Sequence, residues 1–216
     1  MSLITLKNIK KEYGKDQVLF ENLSLEIEKG EFVGLVGRSG AGKTTLLNII
    51  GLITDISAGT ITIDGHQNVS INSKNAMILR RYTIGYLFQN YGLIEDESVL
   101  WNLKLALEYK KIKRKEKLKL INKYLKQFEL SDMLDKKVYQ LSGGEQQRIA
   151  IIKLILQGSQ IILADEPTSG LDKENESIVM KLLKKLNENG ITIIMVTHNM
   201  NLLDCFSRVI NVENFR

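Results

Sequence analysis

The stretch "GRSGAGKTT", residues 37 to 45, packs three glycines, one lysine and two threonines between two apolar runs, "EFVGLV" at 31–36 and "LLNII" at 46–50. The first run has the length of a buried strand and the second that of a helix start. Backbone N–H groups reach phosphate oxygens only where no Cβ blocks the approach. Glycine at 37, 40 and 42 removes that obstacle and permits positive φ. The amides of Gly42 to Thr45 then open a helix, whose N-terminus attracts anions. The spacing from Gly37 to Thr44 satisfies G-x-x-x-x-G-K-[ST] in full, with the strand–loop–helix context that the motif requires. The whole run, Gly37, Arg38, Ser39, Gly40, Ala41, Gly42, Lys43, Thr44 and Thr45, is read as a nucleotide phosphate loop. Lys43 supplies the point charge for the β- and γ-phosphates. The Thr44 hydroxyl suits Mg²⁺, a hard ion that takes oxygen ligands.

A nucleotide site needs a second, acidic element. "IILADE", residues 161–166, offers four apolar strand residues followed by two carboxylates. Asp165 is the candidate for holding Mg²⁺. Glu166, one residue on, faces elsewhere and is the candidate to activate water as a general base. His198 closes another apolar run, "ITIIMVTH", at the edge where open α/β sheets bind ligands. His66, after a turn, carries no such reading.

Around these motifs the chain alternates strand-like and helix-like segments. Leu3–Ile9, Val18–Ile27, 31–36, 60–64, 160–165 and 191–196 read as strands. Residues 42–52, a segment beginning near Glu145, and 174–189 read as helices. Asp64-Gly65 marks a tight turn and Gly190 a helix stop. From 94 to 139, leucine and lysine at helical spacing replace β-branched alternation, which reads as a helical insertion. The expected fold is α/β, a P-loop NTPase with a mostly parallel core sheet. Residues 1–216 are taken as one domain: 1–93 and 140–216 form the core, and 94–139 the helical part.

Composition excludes several classes. With 44% hydrophobic and 25% charged residues, the chain is not disordered by default. The one cysteine, Cys205, rules out an internal disulfide and suits a reducing compartment, where it is read as a small filler. No apolar run approaches the ~20 residues of a membrane span, and the N-terminus lacks a signal-peptide pattern. The net charge of +5 gathers in "KKIKRKEKLKLINKYLK", residues 110–126. Ile112, Leu118, Leu120, Ile121, Leu125 and Phe128 recur there near helical spacing, so the run is read as an amphipathic helix with its lysines outward. No aromatic residues alternate with the charges as in a base-stacking surface, and no nucleic-acid partner is expected.

"LSGGEQQR", residues 141–148, together with the phosphate loop, resembles the ABC-transporter ATPases, and the likeness covers almost the whole chain. It implies an N-terminal antiparallel β subdomain and an ATP-hydrolysing subunit that uses ATP and Mg²⁺. Tyr13 in "KEYG" matches the family's adenine-stacking aromatic. Gln89 in "FQNY" matches the glutamine that meets Mg²⁺ and the membrane partner. Asp172 in "SGLD" matches a loop that crosses a dimer interface, and His198 the family's switch histidine. Ser142, Gly143, Gly144 and Glu145 form the signature. Its helix start presents amides and a hydroxyl to an anion. The family's geometry implies a head-to-tail homodimer with each ATP between one chain's phosphate loop and the other's signature.

The stretch "LRRYTIGYLFQNYGLIEDESVLWNL" is similar to the bacterial exporter branch serving lipoprotein release, macrolide efflux and antimicrobial-peptide export. It implies a transmembrane permease partner and a cytoplasmic position on the inner membrane face. Tyr91, Leu93, Ile94 and Trp101 are candidate permease contacts. "IEDES" at 94–98 departs from the branch's usual pattern, and Lys153 replaces a common arginine. Peptide or bacteriocin export is the preferred assignment, beside drug or lipoprotein export. A regulator that pulls on a membrane partner without transport shares every catalytic residue. A DNA-repair or chromosome ATPase is disfavoured, because only about a hundred residues separate Lys43 from Ser142, without heptads or cysteine pairs.

Overall fold

The computed structural model describes residues 2–14 and 17–215, so the expected limits at 1 and 216 lie outside the described residues. Two sheets are present. Three antiparallel strands, β1 (Ser2–Tyr13), β2 (Gln17–Glu28) and β4 (Ala58–Ile63), lie in the order β2-β1-β4. Five parallel strands form the second sheet: β3 (Phe32–Val36), β5 (Ile84–Leu87), β6 (Ile161–Asp165), β7 (Thr192–Val196) and β8 (Arg208–Asn211), in the order β5-β6-β7-β3-β8. Around them pack α1 (Lys43–Ile50), α2 (Lys74–Tyr82), α3 (Val99–Ala106), α4 (Arg114–Gln127), α5 (Gly143–Gln157) and α6 (Lys173–Glu188). This is the expected α/β architecture: a parallel core sheet, an N-terminal antiparallel sheet and a helical insertion.

The central strands read as unbroken apolar runs because both of their faces are covered. Their alternation sorts side chains into two cores. Val33, Leu35, Ile161, Leu163, Ile194 and Val196 face α1 and the antiparallel sheet. Phe32, Ile162, Ala164, Ile193 and Met195 face the other way, towards α3 to α6. Each fully buried Leu or Ile contributes ~1.5–3 kcal/mol, so the middle of the sheet is its most tightly held part. Gly34 interrupts β3 because the Phe206 ring occupies the space of a Cβ there, 2.5 Å away at Cδ2.

Several local expectations need correction. α5 starts at Gly143, two residues before Glu145, because Ser142 caps it. α2, β5 and β8 went unread. β5 is four residues long with Gly85 inside it, and the Ser159 side chain fills the place of a Cβ at 85. β8 lies at the sheet edge and alternates weakly. Cys205 is exposed at the end of a 3₁₀ turn, Met200–Cys205, and fills nothing. In α4, Ile121 and Leu125 are buried and Phe128 follows them into the core, while Ile112, Leu118 and Leu120 are half-buried. The Asp64-Gly65 turn has φ of 48° and 75°, both positive, and closes through paired Ile63 and His66 backbone bonds.

Candidate nucleotide site

Parallel pairing carries β3, β7 and β6 side by side, so their C-terminal ends, Val36, Val196 and Asp165, lie along one edge. The segments leaving those ends surround an open cleft of about 380 Å³. It is lined by Tyr13, Gln17, Leu19, Ser39, Gly40, Gly42, Lys43, Thr44, Thr45, Glu166 and His198. Gln17 and Leu19 were not anticipated. They reach the cleft from β2, and nothing in their local sequence marks them.

The loop backbone is left-handed at Gly37, Gly40 and Gly42, with φ of 142°, 73° and 95°. At Gly42 a Cβ would also meet the Phe20 ring at 2.8 Å. The helix that follows, α1, has no side-chain cap and no acidic residue in its first turn. Its N-terminal amides and dipole are therefore directed at the cleft without a carboxylate of the helix's own first turn competing for them. The Lys43 ammonium curls back and donates to the Gly37 and Arg38 carbonyls at 2.8 and 2.9 Å. Burial lowers its pKa from 10.5, opposed by the carboxylates of Glu166, Glu213 and Asp165. Arg38 points outward, 90% exposed, and pairs with Glu213 at 3.7 Å. Arg38, Gly37 and Ala41 shape the loop but do not line the cleft.

Across the cleft, the Thr44 hydroxyl donates to Asp165 Oδ1 at 3.1 Å. Two oxygen groups thus sit together beside the phosphate loop. This fits Mg²⁺, which is usually held by one or two protein oxygens and completed by phosphate and water. Glu166 turns away from Asp165. Its φ of 47° is left-handed, its N–H is pinned to the Val196 carbonyl at 3.1 Å, and its carboxylate meets His198 Nε2 at 2.8 Å. That backbone costs on the order of 1–2 kcal/mol for a non-glycine residue, and strain of this kind concentrates at functional sites. Tyr13 stands at the cleft mouth, 45% exposed. Its hydroxyl is 3.3 Å from Thr45 Oγ1, and the Lys11 ammonium is 4.7 Å from the ring centroid.

The Asp165 carboxyl has its pKa raised above 3.8, chiefly by burial and further by Glu166, against Thr44, Lys43 and His198. A carboxyl raised in the fold contributes stability that is complete below the unfolded pKa and lost as pH rises through the folded one. Its ionised form is therefore destabilising at neutral pH. Asp165→Asn raises the thermal midpoint of the nucleotide-free chain at pH ~7, and the gain shrinks towards pH ~4. A midpoint below the parent's at neutral pH in differential scanning calorimetry contradicts this.

The signature residues lie outside this cleft. Ser142 and Glu145 line a separate depression with Phe128, Arg148 and Asn175. The Ser142 hydroxyl, expected to face an anion, is engaged within its own helix start. Ser142 N–H and Oγ donate to Glu145 Oε2 at 2.7 and 2.8 Å, while Ser142 Oγ accepts from Glu145 N–H at 3.4 Å. This is a capping box. Burial raises the Glu145 pKa, but the two Ser142 bonds, Arg148 and Lys136 outweigh it and leave the pKa below 4.5. Gly143 and Gly144 are bare because the Tyr91 hydroxyl and the Asn175 amide occupy their Cβ positions. Asp172 caps α6, accepting from Asn175 N–H and Nδ2 at 2.8 Å each, and these bonds lower its pKa.

Gln89 is exposed, two residues beyond β5, and does not line the cleft. Beside it runs a groove of about 240 Å³ lined by Ile53, Tyr86, Phe88, Tyr91 and Lys153, among others. Lys153 donates to the Gly92 carbonyl at 2.7 Å, and burial lowers its pKa. It ties α5 to the segment after β5. A lone cation within the apolar "IAIIKLIL" was the available signal.

Comparison with known proteins places this geometry. The family model for ABC transporters matches residues 20–169. The macrolide export ATP-binding/permease protein MacB of Campylobacter jejuni is 42% identical over 98% of this chain, which spans 33% of that protein. This chain thus spans about a third of the length of that relative. An uncharacterized ABC transporter ATP-binding protein of Methanocaldococcus jannaschii, MJ1508, is 39% identical over 98% of this chain and 96% of its own length. Among solved structures, the ATP-binding cassette MJ0796 as a post-hydrolysis dimer with ADP and Pi superposes with a TM-score of 0.87. It shares 38% identity and covers 96% of this chain and 93% of its own.

Proposed function

The chain belongs to the ABC transporter ATPase family, and from that premise we propose that it works as a head-to-tail dimer that closes on two Mg-ATP molecules and drives a membrane permease. The observation that carries this reading is the separation of its two anion-seeking helix starts. The phosphate-loop cleft contains no signature residue, so each chain encloses only part of a nucleotide. A second copy, turned head to tail, brings the missing helix start. The dimeric state of MJ0796 supports the same assembly.

In this proposal Lys43 and the α1 amides hold the β- and γ-phosphates, and Tyr13 stacks on the base. Thr44 and Asp165 would hold Mg²⁺, and Gln89, outside the cleft of the single chain, would join them as the dimer closes. Glu166 takes a proton from the attacking water, and His198 orients Glu166 and meets the γ-phosphate. From the other chain come the Gly143 and Gly144 amides, with Ser142 and Glu145 holding that helix start and Asp172 fixing the adjoining loop. The core, 1–93 and 140–216, binds nucleotide and holds both the phosphate loop and the signature, and 94–139 forms the helical part. Loss of the γ-phosphate removes contacts to both chains and loosens the dimer.

The groove at Phe88, Tyr86 and Tyr91 is the proposed seat of the permease, by the helix-in-groove mode. Likeness to macrolide exporters supports export, and peptide or bacteriocin, drug and lipoprotein cargo are the candidates. Among the described residues no helix is long and apolar enough to cross a membrane. In this proposal the likeness to transporter ATPases supports a place at the cytoplasmic face, held there by the permease. Two inactive variants test the assembly. Lys43→Ala and Ser142→Arg each lack hydrolysis alone, while their mixture regains it, because a mixed dimer has one composite site built wholly from unmutated parts. A mixture as inactive as its components contradicts the head-to-tail arrangement.

A further inference from the structure

Between residues 104 and 119 the sequence holds eight Lys or Arg and two acids, a local charge of +6. The whole chain is +5, so the other 200 residues sum to −1. All of the chain's excess positive charge therefore sits at one corner, where α3 turns into α4. Among the described residues none of these eight side chains forms an ion pair. Lys110 has a local explanation: its ammonium lies over Gly158 at the C-terminal end of α5, the end of a helix that favours cations. Others oppose local stability. Lys113 occupies the N-cap position of α4 without a side-chain cap bond, and Arg114 and Lys115 lie in its first turn, where the helix dipole disfavours positive charge.

The same corner carries exposed apolar surface. Trp101 and Leu105 lie one helical turn apart on α3, and Tyr109 continues the line. Their exposures are 40%, 44% and 53%. Tyr109 meets Tyr82, itself 45% exposed, edge to face at 6.5 Å, and Arg81 lies over its ring at 4.2 Å. Lys104, Arg114 and Lys117 gather with Glu108 and Ile112 around a shallow depression beside this line. The acids Glu95, Asp96 and Glu97 precede the opposite, N-terminal end of α3. Cations around a Trp-Leu-Tyr stripe have the chemistry of a bilayer interface. The aromatic rings sit at headgroup depth, and lysines meet anionic lipid phosphates. Leu105 in the middle of the stripe offers no stacking platform for bases.

We propose that the α3–α4 corner docks directly on an anionic bilayer, its Lys104–Arg114–Lys117 cluster on lipid phosphates and its Trp101–Leu105–Tyr109 stripe in the headgroup layer. This contact requires neither permease nor nucleotide, so its failure leaves the ATP-dependent dimer untouched.

Trp101 is the chain's single tryptophan and reports directly on the contact. The full chain is mixed with vesicles of phosphatidylcholine alone or of equimolar phosphatidylcholine and phosphatidylglycerol. Sedimentation with the anionic vesicles only, a blue shift of Trp101 emission and release by high salt are expected. Replacing Lys104, Arg114 and Lys117 by Gln lowers the partition coefficient roughly a hundred-fold and leaves ATP turnover without vesicles unchanged. Leu105→Ser reduces the blue shift while the salt response persists. Equal sedimentation with both vesicle types, or a triple Gln variant that binds like the parent, overturns the proposal. So does retention on a single-stranded RNA homopolymer with no emission shift on anionic vesicles, which would assign the charge to nucleic acid.

Discussion

Replacing Glu166 with Gln lowers ATP turnover by roughly 10²–10⁴-fold, the usual contribution of a positioned general base, while nucleotide binding is kept. The amide has nearly the shape of the carboxylate, so the left-handed backbone at 166 and its bond to Val196 remain. The lost property is the ability to take a proton. His198 Nε2, 2.8 Å from Glu166 Oε1, keeps a hydrogen-bond partner in the amide oxygen. With the γ-phosphate no longer removed, its contacts to both chains persist. Light scattering with ATP should then report a stable dimer, and with ADP a monomer. A variant that stays monomeric in ATP at saturating concentration contradicts the sandwich, and one that hydrolyses at the parent's rate contradicts the role of Glu166.

Replacing Lys43 with Ala acts one step earlier, on binding itself. Hydrogen bonds to charged groups contribute about 1.5–3 kcal/mol each, so losing one weakens ATP binding roughly 10–100-fold. Lys43 as a residue is almost wholly buried, and its ammonium is bonded to the carbonyls of Gly37 and Arg38. In the bare loop it therefore stands in for the cross-brace that phosphate would later share. Burial lowers its pKa, and the carboxylates of Glu166, Glu213 and Asp165 act against that shift. Titration calorimetry with ATP measures the change, and an unaltered affinity rules out the phosphate role. The two substitutions separate cleanly: one keeps binding without turnover, and the other loses binding.

Legibility followed distance along the chain. The phosphate loop is local. Three glycines, one lysine and two threonines act within nine residues, so their spacing alone implies a bare backbone opening a helix. The central strands were equally plain, since burial on both faces leaves continuous apolar runs such as "FVGLV" and "TIIMV". β5 and β8 were not plain. They are four residues each, at the two edges of the sheet, where one neighbour is missing and the apolar demand is weaker. The signature was legible as a helix start, but its internal bonding was not. Ser142 and Glu145 have the spacing of a capping box, in which the serine hydroxyl donates to the Glu145 carboxylate and accepts from the Glu145 N–H.

What the sequence determined by itself is therefore the chemistry available: a phosphate-holding loop, two adjacent carboxylates at a strand end, a second helix start and a leucine-lysine insertion. Which of these groups meet was decided only by the tertiary structure. Parallel pairing of β3, β7 and β6 sets Thr44 beside Asp165, 121 residues apart, and the packing of α5 against β5 sets Lys153 on Gly92, 61 residues apart. It also leaves Ser142 outside the cleft of its own chain. The physical reason is that strand order and register are set by how two cores close on opposite faces of one sheet. That closure sums over many distant side chains, so no single stretch of sequence carries it.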